Sequence, residues 1–264
     1  MIRRLLRSIA VAFIALVLLA SSTAAAQRSS ASSNGTGTTP SVTVPTGVAT
    51  DDIIIIACQI DAAAADFQTA DWPTGFTELA ESDNPAGQPD GQTHAIGWKR
   101  ATGADSGTYT FGNVGASGDW ICEAVAFSGR DTTNPPIISS TALNTSSNAS
   151  GVSVTANGVT ALANDDLMWV GSLDPTDSVP GSAFTPPSSP IVFTERQDVT
   201  RAFCGLSVAT ADAVSAGATG TISGTATFSG TGAGYVAWTV RIPVSGGGGG
   251  SPTPNRMTLL GVSE

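Results

Sequence analysis

The sequence predicts an all-β protein: a two-sheet, jelly-roll-like sandwich built from two similar halves. Its apolar runs are short, rich in Val, Ile, Thr and aromatic residues, and broken at brief intervals by Gly, Pro, Asn or Asp. Such runs read as strands joined by turns, and no segment sustains the i, i+3, i+4, i+7 stripe of an amphipathic helix. The second observation is a duplication. "ATDDIII" (Ala49 to Ile55) returns as "ANDDLMW" (Ala163 to Trp169), and "GFTE" (Gly75 to Glu78) as "VFTE" (Val192 to Glu195). "GWKRAT" (Gly97 to Thr102) returns as "GLSVAT" (Gly205 to Thr210), and "WICEAVAF" (Trp120 to Phe127) as "YVAWTVRI" (Tyr235 to Ile242). Four pairs in one order make residues 41–135 and 150–244 two copies of one unit.

The N-terminal segment, "MIRRLLRSIAVAFIALVLLASSTAAAQ", places Arg3, Arg4 and Arg7 ahead of an apolar run from Ile9 to Ala20 and then small residues up to Ala26. That is the pattern of a secretory signal peptide over 1–26, cleaved after Ala26. An uncleaved anchor is disfavoured because the run is shorter than the ~20 apolar residues that cross a bilayer core. Residues 27–40, with "SSASSNGTGTT", read as a Ser/Thr/Gly spacer. The body, 41–244, is about 200 residues, long enough to bury roughly 70% of its unfolded surface without added staples. A Gly/Pro linker (245–254, "SGGGGGSPTP") then precedes a tail, 255–264.

Within the body, "TDDIIIIACQID" (Thr50 to Asp61) carries four successive isoleucines. A continuous apolar run is a central strand covered on both faces, here by the second sheet on one side and by loops on the other. Asp51 and Asp52, with Asp165 and Asp166 in the second copy, precede their strands as turns whose carboxylates accept backbone N–H groups. The alternative is a calcium site built from these four acids. Calcium wants about six to eight oxygens, and neither copy has a D-x-D-x-D-G run.

The strings "VPTGVATDDIIII", "WPTGFTEL", "GWKRATGADSGTYTF", "AVAFSGRDTTNP" and "AWTVRIP" carry a resemblance over Ser41 to Val244. Together they resemble an uncharacterised, duplicated β-sandwich module that recurs in secreted bacterial and phage tail-associated proteins. The chain departs from that pattern at Asp51, where the module has Gly, at Phe76 for Trp and at Phe127 for Tyr. These are turn or core changes. The resemblance implies a sandwich fold and supplies no catalytic residues.

Composition narrows the partners. The formal net charge is −10, signal cleavage removes three arginines and no acid, and Lys99 is the only lysine. Nucleic acid and anionic lipid both need a basic face, so neither is expected as a partner. Cys58, Cys122 and Cys204 each sit in an apolar run, with no CxxC spacing and no Cys/His cluster for zinc. They read as three small core residues or as a Cys58–Cys122 disulfide plus one core thiol.

Few residues carry chemistry. His94 is the only histidine, so any triad or His-ligated metal must use it. It alternates with Ile96 and Trp98 along a strand, and the repeat aligns these three with Ala202, Cys204 and Leu206, an apolar set, so a satisfied inward or edge histidine is expected. Glu123 lies mid-strand where the second copy has Trp238. A buried glutamate there gains a raised pKa and the means of a general acid, whereas an edge glutamate reaches water or a basic partner. Trp98, Trp169 and Trp238 read as core. Trp72, before Pro73 in a turn, offers a stacking platform for a sugar if exposed, or packing over the sandwich end if not. In the tail, Met257, Leu259, Leu260 and Val262 form a short apolar face for docking or oligomerisation, or an idle terminus.

The expected function is therefore a secreted or cell-surface, non-catalytic binding, adhesive or structural module. Glycan or a surface protein is the expected partner, with no metal or cofactor. Two alternatives stand beside it: a phage tail or appendage protein, and a carbohydrate-active enzyme on a jelly-roll scaffold. A concave face with aromatics and facing carboxylates marks the enzyme. A flat or convex sheet with only Ser and Thr outward marks the module.

Overall fold

The computed structural model describes residues 27–62, 64–83, 91–146, 152–175, 184–227 and 233–244. The expected signal peptide, the 245–254 linker and the tail with Met257, Leu259, Leu260 and Val262 lie outside the described residues. In the first half the strands are β1 (Gln27–Gly37), β2 (Ser41–Thr43), β3 (Ile53–Ile60), β4 (Thr77–Asp83), β5 (Thr93–Arg100), β6 (Thr108–Thr110) and β7 (Gly118–Phe127). The second half has β8 (Ile137–Ile138), β9 (Ala142–Ser146), β10 (Val152–Ala156), β11 (Thr160–Ala161), β12 (Asp166–Pro175), β13 (Phe184–Thr185), β14 (Thr194–Arg201), β15 (Cys204–Ala211), β16 (Gly217–Ala218), β17 (Ile222–Ala226) and β18 (Ala233–Ile242).

The all-β sandwich is observed. One antiparallel sheet runs β1-β7-β3-β5-β4; the other runs β14-β15-β12-β18-β8, with β9 also on β18. Read from the other edge, the second order is (β8, β9)-β18-β12-β15-β14, the same as the first. β3 and β12 are the central strands, as the isoleucine run predicts. The copies share finer features too. A bulge interrupts β4 between Glu78 and Ala80 and β14 between Glu195 and Gln197. A left-handed turn residue precedes each central strand, Asp51 at φ 68° and Asn164 at φ 69°.

The two large sheets face each other across one apolar layer. Ile53, Ile55, Ile96, Ile121, Val125 and Phe127 of the first meet Met168, Val170, Leu206, Val208, Trp238 and Val240 of the second. At the edges β1 touches β14 and β4 touches β8. Equivalent strands thus exchange places, as expected of two copies related by an approximate two-fold. Outside this layer, each large sheet has a second core. Ile54, Ile56 and Ile60 pack under β2, β6 and loops that contribute Phe67, Trp72 and Phe111. Leu167, Trp169 and Leu173 pack under the β10-β17-β13 and β11-β16 sheets. Alternating isoleucines therefore serve two cores, which explains why the run shows no polar period.

Residues 27–37 correct the expected spacer. They form β1, paired with β7 from Gln27↔Phe127 to Gly37↔Gly118. Ser, Thr and Gly are poor strand formers, but the open edge of β7 supplies the hydrogen-bond ladder and context overrides propensity. Gly35 is required, because a Cβ there would lie 2.4 Å from the Trp120 ring. The β14 edge completes the strand's contacts: Gln197 Nε2 donates to Ser30 Oγ (3.0 Å) and Arg201 to Asn34 Oδ1 and Thr36 Oγ1 (3.0 and 2.7 Å).

The sequence matches also slip in register. Asp52 and Asp165 are the structural counterparts, because each accepts the backbone N–H three residues earlier, from Ala49 (2.8 Å) and Leu162 (2.7 Å). In the β3–β5 and β12–β15 ladders, Gln59↔His94 corresponds to Ser172↔Leu206. The counterpart of His94 is thus Leu206, not Ala202. Hairpins of different length, β4–β5 with its 84–90 insert and the tight β14–β15 turn, displace one ladder from the sequence match.

Candidate functional site: the polar layer between the sheets

The residues with chemical potential gather inside the molecule. At one end of the inter-sheet layer, His94 from β5 meets Ser172 from β12, with Nδ1 and Oγ 2.6 Å apart. Gln59 of β3 donates to the Leu173 carbonyl (2.6 Å) and to Gln92, and Gln92 Nε2 donates to the Phe203 carbonyl (2.7 Å). Every one of these contacts except Gln59–Gln92 crosses from the first half to the second. His94 is 1% exposed and Ser172 and Gln59 are fully buried. Burial pushes the imidazole pKa down to about 3, since the cation would have to leave water.

A Ser–His pair is the beginning of a nucleophilic pair. Here neither atom meets solvent, and the imidazole is far too weak a base at neutral pH. Such a buried, mostly satisfied polar knot sets the relative register of two packed sheets, because any slip strands its members without partners.

Glu123 lies farther along the layer on β7, between β1 and β3, paired with Ser32 and Ala57. The edge position, with its head in water or on a base, is not what the structure holds. Glu123 is fully buried and neither carboxyl oxygen has a hydrogen-bond partner. Burial raises its pKa well above the usual carboxylate range, and the negative fields of Asp198 and Glu195 add to the rise. No ligand from solution reaches it. For Trp72 the packed alternative holds and the exposed sugar platform does not. It is 7% exposed and packs at 4.9 Å from Phe111 and 6.2 Å from Phe76, with Gly97 leaving room for its ring. The aromatic cluster that closes the outer core takes the face a sugar would need.

Three of the four acids weighed as calcium ligands hold arginines. Asp52 pairs with Arg28 (2.7 Å), Asp165 with Arg241 and Asp166 with Arg130. The Arg130–Asp166 pair is wholly buried, and Ala213 N–H donates to the same carboxylate (2.9 Å). Burial still lifts Asp166 to about 6 against the pull of Arg130. Lys99 is also turned inward, paired with Asp105 and over the Phe76 and Tyr109 rings at 5.7 and 5.3 Å. The only lysine therefore contributes almost no basic surface.

Cys58 and Cys122, opposite each other on β3 and β7 with Cα atoms 4.1 Å apart, form a disulfide. Cys204 is buried in the inter-sheet core, its thiol 3.4 Å from the Asp119 carbonyl. Sequence reasoning missed Ser172, Gln59 and Gln92. A serine and a glutamine inside apolar runs are the only signals they leave.

The outer surface differs in kind. On the β10-β17-β13 sheet, Ser153, Thr155, Thr185, Ser223 and Thr225 point away from the core, and Thr155 and Ser223 share a 2.7 Å hydrogen bond across strands. No protein-family model matches the chain, and no curated protein is significantly similar to it.

Proposed function

We propose that this protein is a secreted, non-catalytic β-sandwich module that works by binding or adhesion, or as a structural part of a cell surface. The observation that carries this reading is the hydroxyl face of the β10-β17-β13 sheet, whose outward residues are all Ser or Thr. Short hydroxyls on a pleated surface hydrogen-bond to polar, uncharged ligands such as glycans, and they offer neither general acid nor general base. The inward placement of His94 and Glu123 supports the same conclusion, since the groups best suited to proton transfer are sealed from any substrate. A disulfide suits an oxidising compartment, which fits export by the N-terminal segment.

The test is a glycan array probed with the full chain from Gln27, run beside a reducing-sugar release assay on the same glycans. Retention without release is expected, weakened by Thr155→Asp and Thr225→Asp on the hydroxyl face. Release of reducing ends above the rate of a heat-denatured control overturns the non-catalytic reading.

A further inference from the structure

One surface recess has no role in the reading above. It is a groove of about 440 Å³ between Pro190–Val192 and the Ala211–Thr219 segment. Ala211 and Val214 are buried at its base, whereas Val192 beside it is 72% exposed, the most exposed large apolar residue among those described. β16 lines the groove and has β11 as its one strand partner among the described residues. A recess with an apolar base and a free strand edge suits an extended apolar segment, which gains backbone hydrogen bonds from the edge and side-chain burial from the base.

We propose that the occupant is the chain's own tail, residues 255–262, docked along β16. The place where the chain leaves the sandwich argues for it. Val244 N–H donates to Asp165 Oδ1 (3.3 Å), and the Asp165 carbonyl accepts from Val214 N–H (2.8 Å) at the groove's base. The described chain thus leaves the sandwich at Val244, beside the groove. Twelve residues, glycine-rich at first, separate Val244 from Met257, and a linker of that length and composition has a reach of roughly 20 Å. The chemistry matches: Met257 and Leu259 alternate in sequence as one face of a strand requires, and Arg256 before them is opposite in charge to Asp212, a lining residue that also pairs with Arg196 (3.6 Å). A tether this short holds the segment at an effective concentration in the millimolar range, so even a weak site is filled.

The test is hydrogen exchange on the full chain from Gln27, read at residues 211–219 across a dilution series. Wild type is compared with Leu259→Asp/Leu260→Asp and with Val192→Asp, substitutions in the tail and at an exposed position that leave the core intact. Both variants are expected to exchange roughly tenfold faster at Ser215 to Ala218, at every dilution, with β3 and β12 unchanged. Equal exchange in all three proteins overturns the proposal. Protection that fades on dilution together with a falling mass also overturns it, and assigns the groove to the tail of a second copy.

Discussion

The two halves share one strand order, one bulge and one pre-strand turn, yet they fill equivalent positions by different means. Where β3 and β7 carry the Cys58–Cys122 disulfide, β12 and β18 carry the pair Gly171↔Ala237. The gap left by the small residues is closed by Trp169, whose ring would sit 2.3 Å from a Cβ on Gly171. Facing the other copy, Glu123 and His94 of the first half stand where the second has Trp238 and Leu206. The backbone is therefore over-determined by topology, while each copy's core is an independent solution to the same volume. The copies have also diverged by role. The first half supplies Gln59, Gln92 and His94 to the shared layer, and the second answers mainly with apolar bulk, the Leu173 and Phe203 carbonyls and the single hydroxyl of Ser172.

Separating the copies is the severest way to break this comparison. A chain of residues 27–135 exposes Ile53, Ile55, Ile96, Ile121, Val125 and Phe127. At ~1.5–3 kcal/mol for each large side chain, their exposure costs on the order of 10 kcal/mol, comparable to a whole domain's stability. We expect no cooperative melt by circular dichroism. A soluble fragment with a sharp transition would show that the halves are independent domains.

Removing the disulfide sharpens the contrast between cystine and tryptophan. Cys58→Ala/Cys122→Ala, which closes no 64-residue loop, should lose about 2–4 kcal/mol in urea denaturation. An unchanged midpoint would mean that the first half, like the second, is held by packing alone.

Glu123→Gln addresses the position that is Trp238 in the other copy. Because burial raises the folded-state pKa, Glu123 favours the folded state fully only below its unfolded value near 4.5 and progressively less as pH rises toward the raised value. The amide cannot ionise, so the variant should be about 1–3 kcal/mol more stable than wild type near neutral pH and lose that advantage in acid. Equal pH profiles of the melting temperature would place the carboxylate in water.

His94→Leu/Ser172→Ala gives the first copy the residue of the second. The folded-state pKa is depressed to about 3, so wild type keeps the stability of neutral His94 above 6.5 and loses it as pH falls through the window below. The loss amounts to roughly 1.4 kcal/mol per pH unit, opposed by Glu123. The double variant should lack the loss between pH 6.5 and 5, measured by urea midpoints. Persistence of the full slope would locate the acid sensitivity elsewhere.

Much of the fold was legible because strand signals are local. Four isoleucines mark a doubly covered strand, and the repeated strings mark a second copy whatever the intervening loops contain. The acids before the strands were legible as turns for the same reason, since Asp52 and Asp165 bond within three residues of themselves. Register was not. Loop lengths differ between the copies, and a ladder slides in steps that composition does not record, so Leu206 and not Ala202 came to lie opposite Ser172.

By itself the sequence determined the fold class, the duplication, the central strands and the acidic, lysine-poor balance. Each depends on residue type and short-range order alone. Only the tertiary structure decided that residues 27–37 are a strand, because an edge must exist before a Ser-rich segment can pair with it. It also decided the partner of Cys58, the burial of Glu123, His94 and Trp72, and the meeting of His94 with Ser172 from distant parts of the chain. Burial and pKa are properties of what surrounds a group. Those surroundings come into being only when two sheets, each apolar on both faces, close on one another.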